Sequence, residues 1–154
     1  MIFELIIITV VIILMTTVPI MYYKKRQKEQ KNAILELFKA VGTVTQVHNK
    51  TIFKTMKNTF EIVFFKVPAN AELTFNSKTV WEIKTAYQTK LFNDILLSNP
   101  KLPKIIIVYP STQRIKRYIN ENELEFITYH HMFDDKYVVK KDEIDLFLKT
   151  LLEN

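Results

Sequence analysis

Cysteine is absent from this 154-residue chain and glycine occurs once, at Gly42. Without cysteine there is no disulfide frame, no thiolate nucleophile, no cysteine-ligated zinc or iron–sulfur cluster and no acylation site of the lipoprotein kind. A single glycine removes the Walker loop, the dinucleotide fingerprint and the Gly-x-Ser-x-Gly elbow, each of which needs several. Serine is nearly as scarce: Ser77, Ser98 and Ser111 are the only three, and none stands in a serine-hydrolase setting. What remains for chemistry is Asp, Glu, Lys, Arg, Tyr and three scattered His, so any catalysis is most easily carboxylate and metal work. Length alone points to one domain beside whatever the N-terminus does.

Residues 5–23 carry no charge. As a helix they would rise roughly 28 Å, close to the ~30 Å of a bilayer's hydrocarbon core. Thr9, Thr16 and Thr17 would return their hydroxyls to helix carbonyls, Pro19 lies near one end, and Tyr22 and Tyr23 fall where an aromatic belt is expected. Residues 24–32 follow with five positive charges and one negative. The pattern predicts a transmembrane anchor over residues 1–23, retained because a basic leader and a cleavage site are both missing. The positive-inside rule then places the C-terminal side in the cytoplasm, with Lys24, Lys25, Arg26, Lys28 and Lys31 against lipid headgroups. Residues 33–154 hold seventeen bases and fourteen acids, an ordinary, slightly basic domain.

That remainder has no repeat or low-complexity run and is long enough to bury a core. Ile34, Leu37, Phe38 and Val41 recur at helical spacing, and Gly42 stands where a C-terminal cap belongs. Strand character follows at Thr43–Val47, residues 51–55, Thr59–Val67 and residues 73–84, as in an antiparallel meander. With so little glycine the turns fall to Asn49, Asn58, Asn70, Asn76 and Pro68. Tyr87, Leu91, Phe92, Ile95 and Leu96 make a helical stripe ending at Ser98-Asn99-Pro100. Residues 104–109 form a continuous apolar run, which predicts a strand buried on both faces and a parallel or mixed centre. A short helix is expected from Pro110-Ser111-Thr112 to Arg117 or Tyr118, a strand over 125–129, a loop over 130–135, and a last helix capped by Asp142 with Ile144, Phe147, Leu148, Leu151 and Leu152 on its apolar face. The fold class is therefore an α/β domain with a mixed sheet, preceded by one transmembrane helix.

Alternation in Trp81-Glu82-Ile83-Lys84 puts Glu82 and Lys84 on one strand face, and Glu61 on the preceding strand could approach them across the ladder. Two carboxylates converging beside a lysine would bind Mg²⁺ while the lysine acts on an attacking water, the requirement for phosphodiester hydrolysis. Glu-x-Lys at a strand end, with an acid on the hairpin partner, a following helix and a buried strand, resembles the restriction-endonuclease-like PD-(D/E)XK phosphodiesterases over about residues 33–110. The resemblance implies metal ligands Glu61 and Glu82, with Lys84 and Glu82 catalytic and Glu36 as an accessory acid. Glu61 stands where that family carries Asp, and the Pro-Asp pair is missing.

Arg114, Lys116 and Arg117 form a basic patch near Tyr118 suited to the phosphates of a nucleic acid. His130-His131 with Asp134 and Asp135 invites a metal reading, though adjacent residues on an extended segment point to opposite faces. The expectation is a membrane-anchored binding or scaffolding module with a protein partner. The alternative is a tethered, Mg²⁺-dependent nuclease.

Overall fold

The computed structural model describes residues 2–93, 102–110, 112 and 114–153, without the side chains of residues 2–6, 8 and 10. The chain divides into two compact units, Met1–Glu36 and Leu37–Asn154. Helix α1 runs over Ile2–Val41.

No helix among the described residues is long and apolar enough to cross a membrane. The uncharged stretch that suggested a span lies in the N-terminal part of α1. The helix then continues unbroken into the basic tract. The single-pass anchor, the membrane localisation and the cytoplasmic facing deduced from it are corrected accordingly. The headgroup role of Lys24, Lys25, Arg26, Lys28 and Lys31 loses the span on which it rested. They are helix residues, with Lys25 Nζ 4.0 Å from Glu29 Oε1 one turn on.

The second unit is a mixed α+β fold with ten strands among the described residues. The first sheet contains β1 (Thr43–Val47), β2 (Lys50–Lys54), β3 (Thr59–Val67), β7 (Lys104–Pro110) and β10 (Lys136–Lys140), in the order β1-β2-β3-β7-β10. Its first three strands are an antiparallel meander, and β7 is parallel to both β3 and β10. The second contains β4 (Glu72–Phe75), β5 (Val80–Lys84), β6 (Thr89–Asn93), β8 (Arg114–Asn120) and β9 (Glu123–Phe126), in the order β6-β5-β4-β8-β9. Only β4 and β8 are parallel there.

The facing sides share one core, in which Leu73, Phe75, Trp81, Ile83 and Ile115 of the second sheet meet Val67, Ile106, Val108 and Val138 of the first. Trp81 is the hub, edge-on to Phe65 at 5.0 Å and Phe75 at 4.6 Å. On the other face of the first sheet, Phe147 of α2 (Ile144–Glu153) sits 5.2 Å from Tyr137. Covered on both faces and paired on both edges, β7 is buried from Lys104 to Tyr109, as its unbroken apolar run predicts.

Turns are closed by polar side chains. His48 (φ 47°) and Asn49 (φ 64°) make the two-residue β1–β2 turn, and Asp134 and Asp135 (φ 45° and 59°) make another between Phe133 and Lys136. The β2–β3 and β5–β6 hairpins repeat one device: the hydroxyl of Thr55 accepts from the Asn58 N–H at 3.0 Å, and that of Thr85 from the Gln88 N–H at 3.1 Å. Ser77 does the same for Val80 at 3.0 Å.

Several elements differ from expectation. Residues 73–84 are two strands about a turn at Asn76. Residues 89–93 form β6 rather than helix, because the Thr85 turn feeds them into a five-residue ladder with β5; Ile95, Leu96 and the Ser98-Asn99-Pro100 stop lie outside the described residues. Residues 114–118 belong to β8, drawn into the parallel ladder with β4, and Thr112 donates its hydroxyl to the Ala71 carbonyl rather than capping a helix. The late strand lies at Glu123–Phe126, and Lys136–Lys140 is a strand the polar-ended pattern did not announce. Asp142 sits in a 3₁₀ turn, Lys141–Glu143, that leads into α2.

A candidate anion-binding cleft

Strand β4 lies at the centre of the second sheet. Glu72 is in register with Lys84 on β5 and with Arg114 on β8, and Thr74 with Glu82 and Lys116. Period-two alternation leaves no freedom here. Once Leu73, Phe75, Trp81, Ile83 and Ile115 enter the core, Glu72, Glu82, Lys84, Arg114 and Lys116 must face outward. Glu72, Lys84, Arg114 and Lys116 border an open cleft of about 520 Å³ at the end of the sheet, lined also by Asn70 and Thr85. Lys116 Nζ is 2.8 Å from Glu72 Oε1. Lys84 and Arg114 are exposed and form no ion pair among the described residues. One carboxylate thus pairs with one cation and stands in register between the other two.

Apolar and aromatic groups flank the charge on the same face. Phe126 pairs in register with Lys116, whose ammonium lies 5.9 Å from its ring, and Tyr118 pairs with Leu124. Phe126 is 64% exposed and Tyr118 45%, so these rings are free for contact rather than consumed by the core.

The structure therefore unites Lys84 with Arg114 and Lys116, residues the sequence assigns to two separate candidates. Arg117 is parted from them by the alternation of β8: its Nε lies 2.6 Å from Glu125 Oε2 and its guanidinium 5.0 Å from the Phe133 ring. Glu61 and Glu82 are not brought together. β3 has β2 and β7 as neighbours, so Glu61 belongs to the other sheet, where Lys50 (3.3 Å) and buried Lys104 (3.7 Å) hold its Oε2. Glu82 Oε2 accepts from Asn76 Nδ2 at 3.3 Å. Glu36 is on α1, in the first unit. No group of three or more Asp, Glu or His suited to a metal ion occurs among the described residues, and the two expected Mg²⁺ ligands, Glu61 and Glu82, lie on different sheets. The histidine pair is engaged locally: His130 stacks on Tyr129 at 3.9 Å, and His131 Nδ1 is 3.4 Å from Thr128 Oγ1.

Glu72 was not singled out from sequence, although the alternation Glu72-Leu73-Thr74-Phe75 already marks it as outward. Missing was the neighbour: nothing local says that β8 pairs with β4.

Compared with known proteins, the chain matches no family model, no curated protein and no solved structure.

Proposed function

We propose that this protein is a binding module that takes single-stranded nucleic acid on the outer face of its second sheet. The observation that supports it is the convergence of Lys84, Arg114 and Lys116 from two strands flanking β4, beside the exposed rings of Phe126 and Tyr118. Cations alone suit any polyanion. Exposed aromatic rings on the same face add a preference, because a base that is unpaired and unstacked offers its π-face, worth about 1–3 kcal/mol per stacked base, whereas a duplex hides it. Lys84 and Arg114 bracket the cleft and are the contacts for backbone phosphate, with Asn70 and Thr85 as polar lining. Bond cleavage forms no part of the proposal, since its carboxylate ligands lie on separate sheets.

Fluorescence anisotropy with the full chain and a labelled oligothymidylate tests it. Binding should be tighter than to a duplex of equal length and should fall with salt at a log–log slope of roughly −1.4 to −2.1, for two to three phosphates neutralised on a single strand. The double substitution Lys84→Ala, Arg114→Ala should weaken it about tenfold or more, as charged contacts of roughly 1 kcal/mol each imply. Unchanged affinity in that variant, or a preference for duplex, overturns the proposal.

A further inference from the structure

Among the described residues of the cleft, Glu72 is the one acid, in register with Lys84 and Arg114 and paired with Lys116, and its position demands an explanation. Its neighbours Leu73 and Phe75 fix β4 in the core, and an outward residue at 72 needs no charge for that purpose. Its carboxylate pairs with Lys116 at 2.8 Å and stands in register between Lys84 and Arg114. Both members of the pair are partly buried, with side chains 17% and 29% exposed, and the contact ties β8 to β4. The pair also bears on an incoming anion. A phosphate approaching the cleft meets a like charge and finds one of the three cations already engaged.

We infer that Glu72 is a built-in competitor for the phosphate site. It holds Lys116 in the free protein, lowers the affinity of the face for nucleic acid and reduces the number of phosphates neutralised on binding. The inference rests on the cleft being a nucleic-acid face and specifies how that face is restrained. Glu82, on the same outward face, differs in being hydrogen-bonded to Asn76 and in facing Thr74 and Leu91 across its ladders rather than a cation. It therefore serves as the internal comparison.

The test is anisotropy with labelled oligothymidylate and the full chain, from about 50 to 200 mM salt, with thermal melting of each variant to verify folding. Glu72→Gln should tighten binding roughly three- to tenfold at the low-salt end, the size of one like charge removed a few ångströms from a phosphate in a partly solvated site. The log–log salt slope should steepen by about 0.7, one further phosphate. Glu72→Asp, which keeps the charge, and Glu82→Gln should each stay within about twofold of the parent, because neither removes a charge from the three cations. If the parent binds and Glu72→Gln matches it in affinity and slope, or if Glu72→Asp tightens binding as much as Glu72→Gln, the competitor role is wrong while the nucleic-acid face stands. If neither the parent nor Glu72→Gln binds, the nucleic-acid face itself falls, and the competitor role with it.

Discussion

At the residue scale, Gly42 and Lys136 show how much depends on single positions. Gly42 follows α1 as the sequence suggests, and its N–H reaches the Phe38 carbonyl at 3.0 Å. Its φ is not positive, so a left-handed cap is not why glycine stands there. A Cβ at 42 would lie 2.5 Å from the Lys54 carbonyl oxygen and 2.8 Å from the Phe53 ring, so a close backbone approach demands it. Gly42→Ala should lower stability by about 1–3 kcal/mol in urea unfolding, as overpacking against backbone does. Lys136 is buried beside Phe133, its Nζ 3.4 Å from Asp134 Oδ2. Burial pushes its pKa below the ordinary 10.5, a fall that Lys78 reinforces and that Asp134 and Asp135 oppose. Between the folded pKa and 10.5 the unfolded chain holds a proton that the native chain has released. Stability contributed by this group therefore rises with pH across that window. Lys136→Met should flatten that rise, measured as the urea midpoint against pH, and an unaltered profile would refute the assignment.

At the element scale, the sequence is most legible where one strand's pattern suffices. Thr59–Val67 emerges with its boundaries and the strand at Lys104 to within one residue, because aromatic and β-branched density and an unbroken apolar run are local properties. Strands β6 and β8 do not, because their helical reading is overturned by ladders with β5 and β4 that no window around them contains. A signal for the first of these was present. Lys54-Thr55-Met56-Lys57-Asn58-Thr59 and Lys84-Thr85-Ala86-Tyr87-Gln88-Thr89 share lysine and threonine at matching places, and both close hairpins through the first threonine's hydroxyl. Scarcity of glycine makes such side-chain turns the means by which this chain reverses direction. Thr55→Ala, remote from the cleft, should cost about 0.5–1.5 kcal/mol of stability by leaving the turn N–H without its acceptor, and Thr55→Ser should retain most of it. Equal losses in the two variants would show that the hydroxyl is not what holds the turn.

At the scale of the whole molecule, the division into two sheets decides what the functional residues can do. A single meander would have set Glu61 beside Glu82 and Lys84, and a carboxylate–lysine site would follow. Instead the chain leaves the first sheet after β3, builds β4, β5 and β6 in the second, and returns at β7. Glu61 becomes a strut for buried Lys104, and Lys84 faces Arg114 across β4. Composition narrowed the candidate groups to carboxylates and basic side chains, and Lys84, Arg114 and Lys116 were each visible as candidates. Their convergence was not, because it depends on β4 and β8, whose paired residues are forty-two apart in sequence, becoming neighbours. A second basic region, residues 24–31 of α1, offers the protein another route to a polyanion. Locating the bound strand therefore discriminates better than affinity alone. Titration of the isotope-labelled full chain with a short oligothymidylate, followed by NMR, measures this directly. The largest shifts are predicted at Glu72, Lys84, Thr85, Arg114, Lys116 and Phe126, with residues 24–31 little changed. Shifts confined to residues 24–31, with the outer face of the second sheet unmoved, would contradict the account.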